Sequence, residues 1–194
     1  VHSRADEAEF VARGYGTRRL EIMYNDFVFV GPSTDPAGIG AAKNATEVMH
    51  ALAFAKLPFV SRGDDSGTHK KELSLWRAAG LDQTEFRAWY RAVGAGMGAA
   101  LNTGAAMNAY LLSDRASWQN FRNKGDLAIL FAGDPALLNQ YAYIPVSPDL
   151  HRHIKAASAA SLANWLTSDS AKTLINGYKI NGIPLFTFNA RTAD

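Results

Sequence analysis

The sequence predicts an α/β fold, and three observations carry that prediction. Runs rich in β-branched and aromatic residues alternate along the chain with runs whose apolar residues recur at helical spacing. The 194 residues are 47% apolar, enough to bury a core in one domain or two small lobes. Residues 20–30, LEIMYNDFVFV, end in a near-continuous apolar stretch of the kind buried on both faces. This alternation favours a mainly parallel sheet.

The elements follow in order. Ser3 is an N-cap for a short helix marked by Ala5, Ala8, Phe10, Val11 and Ala12 and ended by Gly14 and Gly16. Residues 20–30 read as a long strand stopped by the breaker Gly31-Pro32. After a turn at Asp35-Pro36-Ala37-Gly38, Asn44 and Glu47 have the spacing of an N-cap with its reciprocal acid, opening a helix through Met49 and Leu52 to about Ala55. Leu57-Pro58-Phe59-Val60 is a short strand feeding a loop over residues 61–68, and residues 69–79 form a helix closed by Gly80. Helices are expected over 82–93 and 98–109, a strand over 110–112, a helix over 115–123 and a strand over 127–131. Residues 141–146 make a strand whose edge or end is marked by Pro145. Residues 156–178 form one helix, or two broken near Ser168-Asp169, with Leu162, Trp165, Leu166, Leu174 and Ile175 on one side. There is no internal repeat and no low-complexity segment.

Twenty Lys plus Arg against eighteen Asp plus Glu leave a charge of +2 spread along the chain, which argues against a nucleic-acid-binding or polybasic membrane surface. Anion recognition must therefore be local. With no cysteine, disulfides, thiolate metal sites and Cys nucleophiles are excluded, and either redox compartment is compatible. No stretch approaches the ~20 apolar residues of a membrane span, and residues 1–20 lack the layout of a signal peptide.

The most informative segment is Phe59-Val60-Ser61-Arg62-Gly63-Asp64-Asp65-Ser66-Gly67-Thr68-His69. A strand feeding a glycine-containing loop that opens a helix leaves the first helical N–H groups unpaired, and these donors plus the helix dipole suit an anion. Ser66 and Thr68 add hydroxyls, Gly67 lets backbone approach a ligand, and Arg62 supplies a planar charged fork for two oxygens of one oxoanion. Asp64 and Asp65 would repel such an anion unless they turn away, pair with Arg62, or face a protonated ligand oxygen. Phosphate can carry that proton, whereas sulfate, molybdate and tungstate are fully ionised near neutrality, so for them Asp64 must hold Arg62. A purely structural role stays open: Ser66 capping a helix and Arg62 pairing with Asp64 or Asp65.

Other constellations are weaker. Asp64, Asp65 and His69, or His151 with His153, lack strong metal-ligand spacing, so no metal is expected. Gly94-Ala95-Gly96-Met97-Gly98-Ala99 fits the dinucleotide fingerprint as a string but follows a helix-like run where the fingerprint needs a strand. Its glycines fit better as a close loop and helix start whose N–H groups face a neighbouring cleft. Trp76, Trp89, Trp118 and Trp165 read as core or interface aromatics. Ser66 and His69, three apart on one helix, are poorly arranged for proton transfer, so no catalytic residue is assigned.

Five stretches, MYNDFVFVGPSTDPAGI, FVSRGDDSGTHKKELSLW, WYRAVGAGMGAALN, YLLSDRASW and IKAASAASLANWLTSDSAKTLINGYKINGIPLF, together resemble the tungstate-binding component of bacterial tungstate ABC transporters, within the periplasmic solute-binding protein superfamily. The match is ordered and spans nearly the whole chain. The Arg62–Thr68 stretch also resembles the Arg-x-Asp-x-Ser-Gly-Thr anion loop of periplasmic phosphate-binding proteins, which carries over Arg62, Asp64, Ser66, Gly67 and Thr68 as a ligand half-site. Ser61, Gly63 and the backbone of Gly96, Met97 and Gly98 are further candidates.

The resemblance implies two α/β lobes joined by crossing strands, with ligand held in the cleft. Residues 1–30 with 139–194 would be one lobe and 31–138 the other, with crossings near 23–30 and 141–146. Nothing here matches the strand and Thr/Ser-rich loop with which the relatives open, so half of the ligand cage is not in this sequence. Val1-His2 matches the end of that strand and the following loop, which favours a fragment, with the secretory signal lost alongside, over supply by another chain or loss of binding.

The implied function is capture of tungstate or molybdate outside the cytoplasm for delivery to a membrane permease. No catalysis, cofactor or nucleic acid is involved, and the membrane is met only through the permease. The alternatives are a phosphate binder, whose affinity would fall as pH rises where tungstate's stays flat, a signalling or scaffold protein reusing the fold, and an enzyme acting on a phosphate or sulfate ester.

Overall fold

A computed structural model describes residues 1–191. The chain divides into two compact units, one made of Val1–Asn25 with the residues from Asn139 on, the other Asp26–Leu138. The first division falls inside the strand β1 (Leu20–Pro32), between Asn25 and Asp26, and the second between Leu138 and Asn139.

The Asp26–Leu138 unit is built on a sheet of order β3-β2-β4-β1-β5, with β2 (Phe59–Ser61), β3 (Tyr90–Ala92), β4 (Tyr110–Asp114) and β5 (Leu127–Phe131). β2 is parallel to both β3 and β4, the pairs linked by helical crossovers. β1 runs antiparallel to β4 and to β5, with a register shift between Phe29 and Val30. The sheet is therefore mixed, which corrects the mainly parallel expectation. One reversed strand placed between two others converts both of its pairings.

Side-chain alternation along β1 splits the core in two. Phe27 and Phe29 join Phe59, Tyr110 and Leu112 against α2 (Ala45–Ala55) and α3 (Gly67–Ala78), through Val48, Met49, Leu52, Leu75 and Trp76. Val28 and Val30 join Val60 and Leu111 on the other face, against α4 (Met97–Met107) and Trp118 of α5 (Arg115–Asn120). Asn44 caps α2 by accepting from the Glu47 N–H at 2.9 Å, while the Glu47 carboxylate returns to the Lys43 N–H at 2.8 Å.

Two expectations fail here for tertiary reasons. Gly31-Pro32 does not stop β1: Gly31 fits because its missing side chain makes room for the Tyr110 ring, and Pro32 takes the last pairing, opposite Leu127. Residues 82–93 are not a helix but a 3₁₀ turn, Gln83–Glu85, followed by β3. Their aromatic residues, spaced like a helical stripe, instead surround Trp76. Phe86 and Trp89 lie 4.8 and 6.2 Å from it, and Tyr90 stacks on Phe59 at 5.7 Å. Among the smaller differences, α3 starts at Gly67 rather than 69 and α5 ends at Asn120 rather than 123.

In the other unit, α1 (Arg4–Ala12) is capped by a reciprocal acid rather than by the Ser3 side chain. The Ser3 N–H donates to Glu7 at 2.8 Å, and the Ser3 hydroxyl donates to Asp6. Glu7, buried, is matched by Arg19 at 2.7 Å. The first part of β1 pairs with β6 (Leu138–Tyr143) and β9 (Thr187–Phe188), and β7 (Lys179–Ile180) forms a hairpin with β8 (Ile183–Pro184). β6 ends before Pro145, three residues ahead of the expected end at 146. The 156–178 stretch is two helices, α6 (Ala156–Leu166) and α7 (Asp169–Gly177), with Ser168 capping the second. Their apolar side is largely open: Leu162, Trp165 and Leu174 are exposed, so Trp165 is not a core residue. No helix among the described residues is long and apolar enough to cross a membrane.

Candidate functional site

β2 and β3 run side by side and in the same direction, so their C-terminal ends reach the same edge of the sheet. There each enters a glycine-containing loop and then a helix: β2 to α3, β3 to α4. Ligands of open α/β sheets bind outside the carboxyl ends of such strands. The two loops are fastened together, the Val93 N–H donating to the Ser61 carbonyl at 3.0 Å and the Ala95 N–H to the Arg62 carbonyl at 3.2 Å. Gly63 makes this approach possible. It sits at φ +61°, and a Cβ there would lie 2.6 Å from that of Ala92.

Most of the sequence-predicted residues thus share one rim. Ser66 caps α3, its hydroxyl accepting from the His69 N–H at 3.3 Å, and the Ser66 N–H donates to Asp64 at 3.3 Å. The second Arg62 guanidinium nitrogen pairs with the other Asp64 oxygen. Burial works against the Asp64 carboxylate, but hydrogen bonds from Ser66 and Arg62 outweigh it and hold the carboxyl below its ordinary value. Asp65, with φ +58°, turns its carboxylate out to solvent, 3.5 Å from Lys70. The Asp65 N–H donates to His69 Nδ1 at 3.1 Å, so that ring nitrogen acts as an acceptor. Thr68 is buried and Gly67 half-buried at the first turn of α3.

The cap and the ion pair are what a purely structural loop would show. They leave three things unexplained. Arg62 Nε is buried without a partner. α4 begins at Gly96 with no side-chain cap. Open space, with no atom within 4 Å, lies where a side chain would stand at Gly94, Gly96 and Gly98. Met97 itself is buried in the core with Val60 and Val28, so it offers the rim only its backbone N–H.

The ground for setting aside the Gly94–Ala99 fingerprint does not hold, because a strand does precede it. Other features differ from a dinucleotide site: β3 is a three-residue edge strand, and the strand after α4, β4, is separated from it by β2. Among the described residues no three His, Asp or Glu side chains converge as metal ligands. The His151 and His153 rings lie 6.2 Å apart.

Behind the rim is a polar cluster that sequence reasoning missed. Thr68, Glu72 and Trp76 fall at i, i+4 and i+8 on the buried face of α3. Glu72 Oε1 accepts from Tyr90 Oη at 2.6 Å and from Trp76 Nε1 at 3.1 Å. Burial pushes the Glu72 carboxyl up, against the hydrogen bonds from Tyr90 and Trp76 that favour its ionised form. The helical spacing is legible in the sequence, but Tyr90 falls in a stretch that reads as a helix, so nothing local places it opposite Glu72.

A family model described as a PBP superfamily domain matches residues 1–170. The chain belongs to that superfamily. It is 43% identical over 98% of its length to a protein of Haloferax volcanii, of which it spans 56%. It is 42% identical over 98% of its length to the tungstate-binding protein TupA of Peptoclostridium acidaminophilum, of which it spans 67%. The solved structure of the tungstate-binding protein TupA from Desulfovibrio alaskensis matches with a TM-score of 0.86 and 39% identity, covering 98% of this chain and 78% of that one. The chain thus spans little more than half of the Haloferax protein and about two thirds of the Peptoclostridium one, and belongs with the TupA proteins inside the PBP superfamily.

Proposed function

We propose that this protein is the solute-binding component of an ABC transporter and captures a tetrahedral oxoanion, tungstate or molybdate, outside the cytoplasm for a membrane permease. It changes nothing in the ligand chemically and uses no cofactor. The observation that carries the reading is the unpartnered Arg62 Nε, buried beside two helix starts whose first N–H groups have no intrahelical acceptor. Arg62 neutralises charge, and Asp64 holds it in place. The Ser66 hydroxyl with the Gly67 and Thr68 N–H groups donates from one loop, and the Gly96, Met97 and Gly98 backbone donates from the other. Ser61 and Gly63 shape the loop root. The names of the relatives support tungstate as the ligand of choice.

A phosphate binder is the second reading, favoured by the same Arg-x-Asp-x-Ser-Gly-Thr loop. A thermal-shift panel on the intact, untruncated protein separates the two. A ligand at about 100 times its Kd adds ~2.7 kcal/mol to stability. Tungstate and molybdate are expected to raise the melting temperature where sulfate and phosphate do not. A shift with phosphate alone moves the ligand assignment, and no shift with any of the four removes the binding reading in favour of a scaffold role.

A further inference from the structure

The sequence holds two Asn-Gly pairs, Asn176-Gly177 and Asn181-Gly182, each preceded by isoleucine. In Asn-Gly the side-chain amide is unusually open to attack by the next backbone nitrogen, because glycine has no side chain to shield it. Both asparagines are exposed, so the two sites share their local chemistry and their access to water. They differ in how firmly each is held.

Asn176 stands in the last turn of α7, and its Oδ1 accepts from the Phe188 N–H at 2.8 Å. A reaction there would break that bond and unwind the end of the helix. Asn181 and Gly182 are the two residues of the β7–β8 turn, at φ +51° and +78°, the paired left-handed conformations that Asn-Gly favours in a two-residue hairpin. This hairpin is a sheet of its own with two residues in each strand. Ile180 pairs with Ile183, and Lys179 with Pro184, which has no N–H. The Leu185 N–H reaches the Tyr178 carbonyl only at 3.4 Å. Lys179, Ile183 and Pro184 are exposed, and the buried anchor, Leu185, lies beyond the paired residues. A two-stranded hairpin of this size is marginal by itself, so its tip opens at low cost.

We propose that Asn181 is a site of spontaneous covalent modification, deamidation through a cyclic imide, whereas Asn176 in the same tripeptide is protected. The Gly182 nitrogen attacks the Asn181 side-chain carbonyl carbon and closes a five-membered ring. The bond to the amide nitrogen breaks, and ammonia leaves with the proton given up by Gly182. Water then adds to either ring carbonyl and reopens the ring to aspartate or isoaspartate. The balance is one ammonia lost and one water gained, with no change of oxidation state. Ring closure needs the peptide between Asn181 and Gly182 to rotate out of the turn, so the rate reports opening of the hairpin. The product carries a new carboxylate beside Lys179, one unit below the present net charge of +2. Isoaspartate also adds a carbon to the backbone, so Ile180 and Ile183 lose their two-residue register.

The test is ageing of the full chain in mildly alkaline buffer, native and in urea, followed by trypsin digestion and mass spectrometry. Cleavage after Lys179 puts the two pairs in different peptides, residues 173–179 and 180–191. In the native protein the 180–191 peptide should convert at least about tenfold faster than 173–179, with isoaspartate at position 181. In urea the two should convert at similar rates. Asn181→Gly, which keeps a two-residue turn, should remove the conversion from 180–191. Equal conversion of the two peptides in native protein, conversion at Asn189 in place of Asn181, or a native 180–191 peptide that stays intact while the urea-unfolded one converts would overturn the proposal. Aspartate without isoaspartate would overturn the cyclic route. None of these outcomes bears on the oxoanion reading, which this inference does not use.

Discussion

Asp64 is the residue whose role is hardest to assign from sequence, because a carboxylate beside an anion is repulsive unless it is occupied elsewhere. In the structure both of its oxygens are occupied, one by Arg62 and one by the Ser66 N–H. Its carboxyl is held below the ordinary 3.8 because these hydrogen bonds exceed the opposing cost of burial. A depressed carboxyl contributes stability that is fully present above the unfolded value and is lost as pH falls through the lower folded value. Asp64→Asn is therefore expected to lower the urea midpoint at about pH 6 and to converge with wild type in acid, below about pH 3.8. A midpoint difference that grows on acidification would contradict the pairing. Glu72 has the opposite sign. Its raised carboxyl makes the fold lose stability as pH climbs above about 4.5.

At the scale of elements, the loop from β2 to α3 depends on one backbone conformation. Gly63 has a left-handed φ and faces Ala92 across the β2–β3 junction, where neither backbone can retreat without breaking the Val93 and Ala95 hydrogen bonds. Gly63→Ala is expected to cost about 1–3 kcal/mol in denaturant unfolding and to weaken oxoanion binding with it. A neutral substitution would mean that the two loops are not locked together. Elements of this unit are legible in the sequence where local signals agree with tertiary demands. The Asn44/Glu47 box puts α2 in place, and the 127–131 strand coincides with β5. They are illegible where aromatic packing decides. Nothing local in Phe86, Trp89 and Tyr90 says that they will gather round Trp76 and leave three residues to form an edge strand. The helical spacing of those aromatics also hides the strand before the Gly94 loop and removes Tyr90 from consideration as a partner for Glu72.

For the whole molecule, a net charge of +2 leaves no global field to attract an anion, so the proposed recognition would rest on a few oriented donors. The donors named from sequence, Arg62, Ser66, Gly67 and Thr68, stand at one junction because a parallel strand pair delivers both loops to the same sheet edge. What the sequence does not supply is the direction of each group: that Arg62 Nε stays unpaired, that Met97 turns inward, and that Asp65 turns to solvent. Each depends on long-range packing rather than on local pattern. The chain's likeness to the TupA proteins, over 98% of its own length, fits the same picture of an anion loop on an α/β scaffold.

The most direct test of that picture is the tungstate affinity of Arg62→Ala beside wild type, measured by calorimetric titration at about pH 7. Wild type should bind, and the variant should bind at least tenfold more weakly, a loss of ~1.4 kcal/mol or more. Equal affinity in the two proteins would contradict the assignment of the site to the Arg62 loop.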